Sequence, residues 1–261
     1  MRRRPLIAGN WKMNKTPQET QEFIESYLAA SSEHRDCDVL LIPPFTSLDR
    51  ASRLLSGTNL LLGAQDVHSA ASGAYTGAIS VGMLKACGCV FVLAGHSERR
   101  HVFGDSDDAV NDKLKAILGN DLFPILCVGE TLEEREGERT SSVLNQQLAG
   151  GLKDISEQAL ESIVIAYEPV WAIGTGKTAT PEQAQATIAY VRHWIEIHFS
   201  RQASDAMRIL YGGSVKPSNA RSLQNQPDID GALIGGASLD PDSFAQIIDE
   251  AMSPSGEDKV C

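Results

Sequence analysis

The chain is short of the features that mark several protein classes. Of its 261 residues only 5 are cysteine, at positions 37, 87, 89, 127 and 261, with no C-x-x-C pair. That excludes a disulfide framework or cysteine zinc site and fits reduced thiols in a cytoplasmic protein. No apolar run approaches the ~20 residues that a membrane-spanning helix needs. Positive charge is scarce, with 23 Lys and Arg against 34 Asp and Glu and a net charge of −11. Such a chain suits neither nucleic acid nor an anionic membrane, which reward clustered Lys and Arg. An anionic ligand must be held by local geometry, against the overall field. Strand-like sequence from Leu6 leaves no room for a signal or transit peptide, and a terminal Cys261 does not fit a prenylation motif.

What is present is an ordinary globular composition, 42% hydrophobic and 22% charged. A chain of this size buries roughly 70–75% of its unfolded surface and needs no metal or disulfide to fold. Eight short apolar runs recur: Leu6–Ala8, Val39–Ile42, Leu60–Ala64, Val90–Ala94, Leu122–Val128, Ile163–Tyr167, Arg208–Tyr211 and Ala232–Ile234. They are continuous instead of alternating, as parallel strands covered on both faces should be. Between them lie helical patterns with start signals, such as Thr16-Pro17, Ser106-Asp107 and Thr180-Pro181. An open doubly wound sheet shares this alternation. Polar and glycine residues just past the strand ends (Asn10, Lys12, Gln65, His96, Glu130, Glu168, Ser214, Gly235-Gly236) favour a closed barrel, which gathers all eight ends on one rim. We therefore expect a single (β/α)8 barrel domain over 1–252 and a loose polar tail over 253–261.

Several rim positions carry chemistry. Glu168 follows a buried strand and precedes Pro169, and apolar neighbours there should raise its proton affinity towards that of a general base. The following segment, Pro169–Lys177, is apolar in its middle and reads as a lid. Gly176-Lys177-Thr178 mimics the end of a P-loop, but the first glycine of that pattern falls on Trp171. The Gly174-x-Gly176 spacing also fails as a dinucleotide fingerprint, because no helix opens until Pro181. His96 begins a helical turn, where the positive dipole end disfavours an imidazolium. Its spacing to His101 is wrong for a helical zinc pair. Paired glycines after the last two strands, Gly212-Gly213 and Gly235-Gly236, suit close backbone approach to a phosphate.

The segments AGNWKMN (8–14), AGHSERR (94–100), CVGE (127–130), YEPVWAIGTGKTA (167–179), YGGSV (211–215) and LIGGASL (233–239) resemble the triosephosphate isomerase family, in order and over nearly the whole chain. The resemblance implies a cofactor-independent, metal-free isomerase acting on a small phosphorylated triose. It implies Glu168 as the base and His96 as the neutral electrophile, roles already known for this enzyme family, with Lys12 as the positive charge. By the same resemblance Asn10 donates a hydrogen bond, and Gly174, Ser214, Gly235 and Gly236 hold the phosphate. Glu98 positions Lys12, Ile173 and Leu233 clamp Glu168, and Thr76 reaches the site of the other subunit in a homodimer. The chain departs from the family pattern at Ala78 and Asp105, where glutamate is usual, and at Asp66, where asparagine is usual. Ala78 and Asp105 leave Arg99 short of carboxylate, so a weakened dimer that Ala78→Glu tightens is expected. Two other readings are a different phosphosugar isomerase or epimerase, and a barrel kept only for binding. Either should lack part of the Lys12, His96 and Glu168 set.

Overall fold

All eight apolar runs are strands in a computed structural model of the chain, which describes residues 3–30, 36–173 and 178–253. They are β1 (Leu6–Asn10), β2 (Asp38–Ile42), β3 (Leu60–Ala64), β4 (Phe91–Ala94), β5 (Phe123–Val128), β6 (Val164–Tyr167), β7 (Arg208–Tyr211) and β8 (Gly231–Ile234). Every neighbouring pair is parallel, and β8 returns to β1 to close the barrel. At that seam Gly231 has φ +139°, and a Cβ there would lie 2.0 Å from the Leu6 carbonyl oxygen. Only glycine lets the two backbones meet.

The continuous apolar runs have a simple cause. Alternate strand residues, among them Leu6, Ala8, Leu40, Ile42, Leu93, Ile125, Cys127, Ala166 and Leu210, form one buried cluster. Their sequence neighbours, among them Ile7, Leu41, Val92, Leu126, Ile165 and Ile209, join a larger cluster with the helices. Side chains alternate across a strand, so the first cluster fills the barrel and the second the layer between barrel and helices.

Helix starts follow the sequence signals. Thr180 accepts from the Gln183 backbone N–H while the Gln183 side chain returns to the Thr180 N–H, and Ser106 accepts from Ala109. Losing one such cap costs about 1 kcal/mol. The helices after the signals at Thr16-Pro17, Ser106-Asp107 and Thr180-Pro181 begin at Pro17, Asp107 and Pro181, and two more begin at Pro217 and Pro241, the last after a 3-10 turn at Gly236–Ser238. Helices at Leu48–Leu55, Val81–Ala86 and Thr140–Gly151 also belong to the outer layer, with shorter ones at Ser97–His101, Leu132–Glu136, Glu157–Leu160 and Arg201–Ala206. Of the expected tail only Ser253 is described; residues 254–261 lie outside the described residues.

Candidate active site

The strand ends converge on a cavity of about 370 Å³ lined by Asn10, Lys12, His96, Glu168, Ile173, Ser214, Leu233, Gly235 and Gly236. All nine are among the site residues expected from the sequence. Gly174 and the lid residues 175–177 lie outside the described residues, whereas Pro169–Ile173 are described. Glu98 stands behind Lys12 instead of lining the cavity, and Thr76 is exposed on the long loop after β3, away from it.

Glu168 leaves β6 with its backbone N–H on the Val128 carbonyl at 2.8 Å. The strand it leans on, β5, is followed by Gly129, where a Cβ would sit 1.7 Å from the Glu168 carbonyl oxygen. Gly129 is held in turn by Gln147, whose amide accepts from its N–H at 2.8 Å and donates to its carbonyl at 3.1 Å. Across β7, a Cβ at Gly212 would meet the Glu168 Cγ at 2.8 Å, and one at Gly213 the Tyr211 hydroxyl at 2.2 Å. The first glycine pair therefore makes room for a carboxylate and a tyrosine, not only for an anion. The second pair leaves open space at Gly236 and lies beside Lys12, whose Cε is 3.6 Å from a Cβ built at Gly235.

His96 is the N-cap of the short helix Ser97–His101, and its Nδ1 accepts from the Glu98 N–H at 3.2 Å. An accepting Nδ1 carries no proton, so we assign the ring proton to Nε2. Nε2 faces Glu168 Oε1 at 3.0 Å, while Glu168 Oε2 accepts from the Ser97 N–H at 2.9 Å. Both side chains are almost fully buried. Burial by itself pushes the Glu168 carboxyl up, but His96, the Ser97 N–H and Lys12 outweigh it and hold the group low. Burial likewise pushes His96 down, and the facing Glu168 carboxylate more than reverses that. The expectation that apolar surroundings raise the proton affinity of Glu168 thus fails while the two groups touch. Each supplies the partner that cancels the desolvation of the other.

Lys12 sits at φ +52°, in the left-handed region. Its N–H donates to Asn10 Oδ1 at 3.1 Å and its ammonium to Glu98 Oε1 at 2.6 Å. Gln65, noted in the sequence only as a strand-end residue, donates to the Lys12 carbonyl at 2.8 Å. Gln147, Gly129 and the cavity-lining Lys216 are not legible as site residues in the sequence. A buried glutamine in a helix and a lone lysine after a strand carry no distinctive pattern.

The premise behind the expected weak dimer is corrected. Arg99 is not short of carboxylate: it pairs with Asp66 at 3.2 Å and with Asp105 at 3.2 Å, and Lys113 bridges the same two aspartates at 2.7 and 2.5 Å. Asp66 is thus a second carboxylate partner of Arg99 within the chain. Among the described residues no group of three or more His, Cys, Asp or Glu side chains could hold a metal ion.

A family model described as triosephosphate isomerase matches residues 5–251. The chain is 51% identical over 246 residues to the triosephosphate isomerase of Solibacter usitatus, covering 94% of this chain and 99% of that one. It is 50% identical to that of Geobacter metallireducens, with 94% and 98% covered, and 49% identical to that of a Roseiflexus species, with 94% and 97% covered. Eight parallel strands closed into a barrel, a rim cavity and this likeness along the whole barrel agree, and the chain belongs to the triosephosphate isomerase family.

Proposed function

We propose that the rim cavity binds D-glyceraldehyde 3-phosphate and dihydroxyacetone phosphate and interconverts them through an enediolate, as the step between the two trioses in glycolysis and gluconeogenesis. The observation that carries this reading is the convergence of Glu168, His96 and Lys12 on one cavity beside the Gly235-Gly236 turn.

In this reading Glu168 removes a proton from the carbon next to the substrate carbonyl and returns it to the neighbouring carbon. His96 donates Nε2–H to the oxygen on which charge develops, and Lys12 supplies positive charge to the bound anion. A substrate entering between Glu168 and His96 separates them. Each then loses the partner that offset its burial, so Glu168 becomes more basic and His96 less so. Those are the shifts that a base and a neutral donor need. Asn10 adds a donor, and backbone N–H groups at Gly174, Ser214, Gly235 and Gly236 hold the phosphate. Ile173 and Leu233 exclude water above the base, and the lid 169–177 keeps the enediolate from losing its phosphate. No cofactor takes part.

The same reading covers the rest of the molecule: one barrel domain over 1–252, in a homodimer, in the cytoplasm. Met13, Tyr75, Val102 and Phe103, on the rim loops after β1, β3 and β4, are 96%, 51%, 73% and 65% exposed. Apolar side chains standing this far out of the surface favour cover by a second copy, with Thr76 reaching into its site. The cysteines at 37, 87, 89 and 127 are all free, and among the described residues no helix is long and apolar enough to cross a membrane. A coupled assay with the purified protein and glyceraldehyde 3-phosphate tests the activity, and absence of turnover overturns it.

A further inference from the structure

Lys12 is gripped at both ends. Gln65 Nε2 donates to its carbonyl at 2.8 Å, and its own ammonium donates to Glu98 Oε1 at 2.6 Å. Its φ of +52° is costly for a residue with a side chain and persists only where the surroundings enforce it. The two grips come from different parts of the chain, the loop after β3 and the turn after β4. Their immediate chain neighbours bind each other: Asp66 Oδ2 lies 3.2 Å from Arg99 Nε. A closed circuit results, running from Lys12 through Gln65, Asp66, Arg99 and Glu98 back to Lys12. Two of its links are peptide bonds and three are polar contacts. The brace is itself fixed from outside the circuit, because nearly buried Lys113 holds Asp66 Oδ1 at 2.7 Å and Asp105 accepts from Arg99 Nε at 3.3 Å and Nη2 at 3.2 Å.

We propose that Asp66, acting through Arg99, is a positioning residue for Lys12, and that its carboxylate sets where the ammonium stands in the cavity. The proposal rests on the reading of Lys12 as the charge that meets the substrate anion. A lysine side chain is long and gains much rotamer freedom once one anchor moves. With Asp66 neutral, the turn carrying Glu98 and the loop carrying Gln65 can shift relative to each other, and the ammonium is no longer held at one place. Asp66 touches no substrate, so its loss weakens binding in the ground and transition states alike and raises KM more than it lowers kcat.

The test uses Asp66→Asn in the full-length protein, which keeps size and a hydrogen-bond acceptor but removes the charge. We expect KM for dihydroxyacetone phosphate and Kd for inorganic phosphate, titrated by phosphorus NMR, to rise together by about 3- to 10-fold, with kcat changed less. In a Lys12→Ala background the same substitution should leave the phosphate Kd where Lys12→Ala alone puts it. Unchanged KM and Kd with a lowered melting temperature would mean that Asp66 only stabilises the fold, and the proposal is overturned. An equal further loss of phosphate binding in the Lys12→Ala background would overturn it as well, since Asp66 would then act independently. If Asp66→Asn does not fold, Arg99→Lys breaks the same link from the other side and is read in the same way. Wild-type kinetics in Lys12→Ala would overturn the reading of Lys12 and the proposal with it. Impaired Lys12→Ala beside wild-type Asp66→Asn would overturn the proposal alone.

Discussion

Glu168 and His96 face each other across the mouth of the barrel, carboxylate Oε1 to imidazole Nε2 at 3.0 Å. Each is the main counterweight to the desolvation of the other, so removing either one lets burial weigh more heavily on the one that stays. Glu168→Gln keeps the shape and removes the basicity. We expect turnover to fall by about 10²–10⁴, with KM changing little. Steady-state kinetics decide this, and near-wild-type turnover would end the assignment of Glu168 as base.

His96→Ala removes the Nε2 donor and should cost about 10²–10³ in kcat, whereas His96→Gln keeps a donor and should retain part of the activity. Kinetics of both variants side by side check the point. Equal activity in the two would show that the donated hydrogen bond does not matter.

Gly212→Ala places a methyl group 2.8 Å from the Glu168 Cγ and 3.1 Å from the Tyr167 carbonyl oxygen. The side chain of the base must swing aside, and a misplacement of about 1 Å can cost about 10²-fold. We expect a fall in kcat larger than any rise in KM. A crystal structure of the variant with Glu168 unmoved and kcat unchanged would contradict this.

Asp105 titrates below the usual carboxylate range. Partial burial pushes it up, but hydrogen bonds and charge from Lys113 and Arg99 prevail. Because the folded value lies below the unfolded one, near 3.9, its contribution is complete above about pH 4 and fades as pH falls through the folded value. Asp105→Asn should therefore lower the melting temperature at pH 7, through a loss of about 1–3 kcal/mol. The gap from wild type should narrow when both proteins are melted at pH 3. A gap independent of pH would mean that the ion pairs contribute nothing.

Ala78→Glu should leave the strength of a homodimer nearly unchanged, because Arg99 already has Asp66 and Asp105 and a further partner at an exposed position is worth about 0–1 kcal/mol. Sedimentation over a dilution series measures the dissociation constant. A tenfold tightening would restore the view that Arg99 lacks a partner.

Eight strands, their closure into a parallel barrel and the residues on its rim are all legible in the order of amino acids. Continuous apolar runs answer to burial on both faces, capping residues mark helix starts within a residue or two, and a chemistry-bearing residue just past a strand has one rim to go to. These are local signals, and local physics reads them. The long motifs then point to the family. Which groups meet is a matter of packing. Gln65 reaches Lys12 across 53 residues of chain and Lys113 reaches Asp66 across 47, at distances that closure of the barrel and packing of its outer helices set. The same holds for the proton affinities. Composition and position predict that a carboxyl past β6 is buried, and burial raises its affinity. Whether a hydrogen-bonding imidazole stands 3.0 Å away and reverses the sign depends on packing between strands that are distant in the chain. Gly212 shows the limit most plainly: the sequence offers a flexible pair suited to an anion, and only the packed barrel reveals that the missing side chain leaves space for Glu168.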